Sequence, residues 1–148
     1  MSNKFTILGS GSSLGVPRID GDFGKCNPNN QKNYRTRCCA HLKFNEISIL
    51  IDTSPDLRSQ LLRNKIKDVD YVLYTHAHAD QTHGINDLRA FYIKYRKRLN
   101  VYADRLTKKH LMSSFGYCFK NKPGYPAILK MNLLKKKLYF QSKKKNLI

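Results

Sequence analysis

The sequence predicts an α/β layered fold. Short apolar runs alternate along the chain with segments whose apolar residues recur at helical spacing, the pattern of strands packed under helices. Two of those runs, Ile47–Ile51 and Val69–Tyr74, are apolar almost throughout, as strands covered on both faces are. With 148 residues, 41% hydrophobic and 11% aromatic, the chain has the material for one domain or part of a larger one, and is too apolar for a disordered segment.

The elements follow in order. Lys4–Gly9 reads as a first strand stopped by glycine. Gly9 to about Arg37 is a long loop rich in Gly, Asn, Pro and Ser, and loops of that length are usually functional or mobile. Its opening, Gly9-Ser10-Gly11-Ser12-Ser13-Leu14-Gly15, lacks GxGxxG spacing and a P-loop lysine, so it predicts a tight turn rather than a phosphate cradle. Cys38–Phe44 alternates, which places Cys38, Ala40, Leu42 and Phe44 on one face and assigns Cys38 to the core. After a turn at Asn45–Glu46 and the strand Ile47–Ile51, Ser54 or Asp56 caps a helix through about Arg63, with Leu57, Leu61 and Leu62 as its stripe. Val69–Tyr74 follows as a strand. Gly84 leads into a helix with Leu88, Phe91 and Tyr95 on one face. Its stretch Phe91–Arg98 mixes aromatics with cations, a mixture that serves single-stranded nucleic acid, but it reads more simply as an aromatic core face with a solvated basic end. Leu99–Tyr102 is another strand, and Asp104 or Thr107 caps a helix bearing Leu111, Met112 and Phe115.

Charge is uneven. Lys and Arg number 28 against 10 acids, a net of +18, and residues 105–148 hold 12 of the cations and no acid. The segment 129–148 draws 17 of its 20 residues from Lys, Asn, Leu, Ile, Phe and Tyr. That composition fits a basic arm for nucleic acid. It also fits A/T-rich codons read past a frameshift, the preferred reading, which leaves 1–128 as the folded part and 129–148 as a tail outside it. No apolar run approaches a membrane span and the N-terminus carries no uninterrupted apolar core of a leader. Four cysteines, at 26, 38, 39 and 118, form neither a CxxC pair nor a disulfide ladder. A cytoplasmic location without membrane contact is the expectation.

The chemistry concentrates in His76-Ala77-His78-Ala79-Asp80-Gln81-Thr82-His83-Gly84, directly after a buried strand. Two imidazoles two residues apart can converge on one cation, and a carboxylate two residues later can reach a second. Nitrogen and carboxylate donors suit zinc, and also manganese or iron. Two such ions generate hydroxide from a bridging water near neutral pH and clamp the attacking and leaving oxygens of a phosphate ester.

This loop resembles the HxHxDH signature of the metallo-β-lactamase-fold hydrolases. Phe5–Ser13 resembles that family's first strand and Gly/Ser turn, and Ile49–Asp56 resembles the strand and aspartate that precede its metal loop. Gly15-Val16-Pro17-Arg18, Cys26-Asn27-Pro28-Asn29-Asn30 and Asp87-Leu88-Arg89 are most similar to the phosphoribosyl cyclic phosphodiesterase group, with tRNase Z a more distant relative. The resemblance covers about residues 4–128. It implies an αββα sandwich, of which this chain holds the first half. It implies His76 and His78 on one metal, Asp80 on the other, and Asp52 supporting the loop, so that Asp80 and Asp52 are the catalytic carboxylates. Where the family has a further histidine, this chain has Gln81, whose amide oxygen is a weaker donor; His83, two residues on, is the alternative ligand. The family's later ligands, a His, a bridging Asp and a final His, have no counterpart, because no His follows His110 and no Asp follows Asp104.

The resulting expectation is a zinc-dependent hydrolase by descent, with two metals in the family and an incomplete site here, a metal-bound hydroxide as nucleophile and a small phosphodiester as substrate. Two alternatives stand beside it: an inactive truncated remnant, and a basic nucleic-acid-binding module. A sheet left uncovered by a missing second half predicts self-association.

Overall fold

The computed structural model describes residues 3–141. Six strands form one mixed sheet in sequence order: β1 (Lys4–Gly9), β2 (Cys39–Phe44), β3 (Ile47–Ile51), β4 (Tyr71–Leu73), β5 (Leu99–Ala103) and β6 (Leu129–Leu133). The first three are an antiparallel meander; β3 to β6 run parallel. The two-residue connection between β2 and β3 turns on Asn45 at φ 51°, a conformation that Asn accepts more readily than most residues. The parallel strands are linked by helical segments, as parallel pairing demands. These include α1 (Leu57–Arg63), α2 (Ala79–Thr82), α3 (Arg89–Tyr95), α4 (Arg105–Ser114) and α5 (Gly116–Phe119).

The register aligns His41, Leu50, Val72, Val101 and Met131 across the sheet. On this face Leu50, Val72 and Val101 are fully buried and cluster with Leu57, Leu61, Leu88, Phe91 and Leu111 from the helices. The opposite face carries Phe5, Ile7, Leu42, Phe44, Ile47 and Ile49. No helix among the described residues covers it: Phe5 is 59% exposed and Ile7 67%. Toward the middle of that face the C-terminal segment lies across the sheet. The Phe140 ring stands 4.7 Å from Tyr71 and 6.0 Å from Tyr102, and the Tyr71 hydroxyl donates to the Gln141 carbonyl at 3.0 Å.

Three expectations need correction. Cys38 is exposed and Cys39 buried, so the alternation of β2 has the opposite phase. Its more apolar side faces the open side of the sheet, while Cys39 and His41 face the helices. His41 is tolerated there because its Nε2 pairs with Ser48 Oγ at 2.8 Å. Leu62 is 63% exposed, and Gln60 is buried instead, its Nε2 donating to Thr36 Oγ1 and the Arg37 carbonyl at 2.9 and 2.8 Å. The lysine-rich segment does not lie wholly outside the fold: Leu129 is fully buried and residues 129–133 are strand β6, paired to β5. Residues 142–148 of that segment lie outside the described residues. No helix among the described residues is long and apolar enough to cross a membrane.

Candidate metal centre

The site is built where β3 and β4 end side by side. Asp52 follows β3 with φ at 65°, which turns its buried carboxylate toward the chain leaving β4. That carboxylate accepts the Thr75 backbone N–H at 2.8 Å and the Thr75 hydroxyl at 2.7 Å. Burial pushes the Asp52 carboxyl above its ordinary range, and the two bonds from Thr75 work against that rise. Since the Thr75 proton points to Asp52, its oxygen is left to accept from His76 Nδ1, 3.0 Å away. The hydrogen-bond pattern thereby assigns the proton to Nδ1 and the lone pair to Nε2.

His76 Nε2 lies 3.2 Å from His78 Nδ1, with the rings edge to face. Two nitrogens bound to one tetrahedral zinc at 2.0–2.1 Å stand about 3.3 Å apart, so the pair has the spacing of two donors to a common cation. Asp80 lies in α2, where Oδ2 accepts from Gln81 Nε2 at 2.9 Å. Gln81 is 7% exposed and its Oε1 is buried with no partner among the described residues. An unpaired buried carbonyl is costly, and a cation beside Asp80 would relieve it. His83 points elsewhere: Nδ1 lies 3.2 Å from Thr82 Oγ1 and the ring meets Phe115 edge-on at 5.5 Å. His110 is exposed on α4 and Cys26 is exposed in the long loop.

The structure thus brings His76 to His78 and Asp80 to Gln81, and turns His83 away from both. No group of three or more His, Cys, Asp or Glu residues converges among the described residues. The donors present fit a metal position in part, with two imidazoles and no third ligand beside them among the described residues.

The loop itself is held tightly. The Thr53 N–H donates to the Gln81 carbonyl at 2.7 Å and the Gly84 N–H to the Thr53 carbonyl at 2.9 Å. A β-carbon at Gly84 would stand 2.0 Å from the Ser54 carbonyl oxygen, so glycine is what lets the loop lie on the β3–α1 connection. Thr75, which links Asp52 to His76, is the site residue that the sequence did not single out; its position between a strand and a histidine was the available signal. The long loop is fastened by Arg37, whose guanidinium forks onto Asp56 at 2.9 and 2.7 Å.

Known proteins share this fold. A family model described as the beta-lactamase superfamily domain matches residues 48–140. A Porphyromonas gingivalis protein named octanoyltransferase is 36% identical over 138 residues, 91% of this chain but 27% of that protein. The crystal structure of a diphosphatase from the PhnP family superposes with a TM-score of 0.81 at 33% identity, covering 95% of this chain and 54% of the other. Zinc-bound PqqB from Methylobacterium extorquens shares the fold at a TM-score of 0.63 and 19% identity, covering 90% of this chain and 50% of its own. The chain therefore spans about half the length of these solved structures, and its single sheet with flanking helices is about half of their fold. With that match over residues 48–140 and the histidine pair at the end of β4, the chain belongs to the metallo-β-lactamase superfamily.

Proposed function

We propose that this chain supplies the His-pair half of a metal-dependent phosphodiester hydrolase centre, acting on a small phosphodiester or diphosphate. The observation that carries the reading is the His76–His78 pair at ligand spacing, oriented by the relay from Asp52 through Thr75. The likeness to a PhnP-family diphosphatase at 33% identity supports the substrate class. A divalent cation bound here would activate water near neutral pH and polarise a phosphoryl oxygen. Asp52 and Thr75 keep the His76 lone pair aimed outward, while Asp80 and the Gln81 amide oxygen offer the oxygen donors of a second position. Among the described residues no further His, Cys, Asp or Glu joins these donors.

Zinc titration against a chromophoric chelator tests the reading. One weakly held equivalent is expected, lost in His76→Ala and in His78→Ala. Two tightly held equivalents after extensive dialysis would contradict the two-donor site, and the absence of any metal binding would remove the centre altogether. Hydrolysis of bis(p-nitrophenyl) phosphate by the chain, if it persists in both histidine variants, would place the chemistry elsewhere.

A further inference from the structure

At the opposite end of the sheet from the histidine loop lies a cavity of about 340 Å³. Ser48, on its wall, and Asp52, below the histidines, are separated by four residues of extended chain, about 13 Å. Lys4 from β1, Lys43 from β2, and Lys65 and Lys67 from the turn after α1 line this cavity. They line one concave volume from three separate parts of the chain, Lys43 with its Nζ donating to the Glu46 carbonyl at 3.1 Å. None of the four forms an ion pair among the described residues. The one carboxylate on the wall, Asp68, is engaged by Lys94 at 2.9 Å and by the Tyr95 hydroxyl, so it does not cancel the lysines.

Two features make this more than a basic surface. The wall includes two side chains that are nearly fully buried, His41 at 6% exposed and Ser48 at 2%. The Ser48 hydroxyl donates to the Asp68 carbonyl at 2.5 Å, which leaves its oxygen to accept from His41 Nε2. The C-terminus of α1 is also closed by backbone bonds, Lys65 N–H to the Leu62 carbonyl and Ile66 N–H to the Leu61 carbonyl at 3.1 and 3.0 Å. These take up the last carbonyls of the helix, so the ammonium groups are not needed to cap it. Lys65 holds φ at 54°, where glycine would be easier.

We propose that this cavity is an anion site for a small ligand bearing two or more phosphate charges. Several converging ammonium groups attract a compact polyanion more strongly than a single charge. A polynucleotide fits less well, because no Phe, Tyr or Trp lines the cavity and sequence-independent binding of single strands draws on stacked aromatics.

The test is calorimetric titration of the full chain with inorganic pyrophosphate at near-physiological salt. Saturable binding is expected, weakened ~10-fold or more in Lys4→Ala/Lys65→Ala/Lys67→Ala and changed little in Lys135→Ala/Lys136→Ala/Lys137→Ala. The cavity lysines replaced are exposed, and a melting curve checks that each variant keeps its fold. Binding should persist in His76→Ala/His78→Ala, and the His41 ring resonances should shift as pyrophosphate is added. No saturable binding, equal loss in both lysine variants, or loss in the histidine variant would each overturn the site. A short single-stranded RNA forms the second arm. RNA binding that the cavity variant abolishes and pyrophosphate does not compete for would assign the lysines to a polynucleotide and refute the small-ligand site.

Discussion

Asp56 and Asp52 illustrate how one residue type is driven in opposite directions by its surroundings. The Arg37 guanidinium, hydrogen-bonded to Asp56, holds that carboxyl below the usual range, while burial pushes Asp52 above it. A carboxyl held low in the fold contributes stability above its unfolded value, and loses it as the pH falls through its folded value. A carboxyl held high does the reverse, and its ionised form weighs against the fold as pH rises past the ordinary range. Asp56→Asn is therefore expected to lower the melting temperature at neutral pH and to flatten its fall between about pH 5 and pH 2; an acid slope as steep as in the parent chain would deny Asp56 that role. The cysteines divide by position. Burial pushes the Cys39 thiol up to about 12 and the Cys118 thiol up to about 11, whereas Cys26 and Cys38 are exposed. Thiolate is the reactive form, so a disulfide reagent should modify Cys26 and Cys38 quickly in the native chain, and Cys39 and Cys118 only on unfolding. Gln81→His would return an imidazole beside Asp80 and is expected to tighten metal at that position more than it raises turnover. A robust phosphodiesterase rate from that change alone would mean that further donors are dispensable.

At the scale of the element, short polar contacts decide where helices start and how loops lie. Asp104 caps α4 through Oδ1, which accepts the N–H groups of Leu106 and Thr107 at 2.6 and 2.9 Å. Replacing it by Ala should destabilise the chain by about 1 kcal/mol, read from the urea midpoint, and Asn should recover most of that loss. Asp56 occupies the same position before α1 but makes no capping bond, because its carboxylate is spent on Arg37. Gly84→Ala would drive a methyl into the Ser54 carbonyl, and overpacking of that kind costs about 1–3 kcal/mol. The displaced loop would also part His76 from His78, so this variant should lose zinc binding along with stability. A variant that melts normally and binds zinc as before would show that the Gly84 contact can relax.

For the whole molecule, the asymmetry of the sheet is the dominant fact. One face is packed under helices; the other leaves Phe5, Ile7 and Phe44 about half exposed or more, with the segment around Phe140 lying over its centre. An apolar face left to water favours association, while a charge of +18 opposes it and does so less as salt screens it. Sedimentation should therefore show association that grows with ionic strength and weakens in Phe5→Lys/Ile7→Lys. A monomer at every salt concentration, melting in one sharp transition, would show that 148 residues close their own core.

What the sequence by itself determined was whatever depends on neighbours along the chain. The strand Lys4–Gly9, the strand Ile47–Ile51 and the position of the histidine loop after Tyr74 were legible, and the cap of α4 was narrowed to Asp104 or Thr107, of which Asp104 makes it, because period, capping chemistry and motif spacing are local. Tertiary structure decided the rest. The phase of β2 depended on which side of the sheet receives helices, and an alternating strand looks the same from either side. Gln60 displaced Leu62 because its amide found partners in a loop more than twenty residues away. The segment 129–133 entered the sheet because β5 offered an edge whose backbone groups needed pairing, which outweighs lysine-rich composition. The hydrogen-bond relay from Asp52 through Thr75 to His76 and the gathering of Lys4, Lys43, Lys65 and Lys67 around one cavity arise from strands laid side by side, and adjacency across a sheet is set by packing rather than by position in the chain.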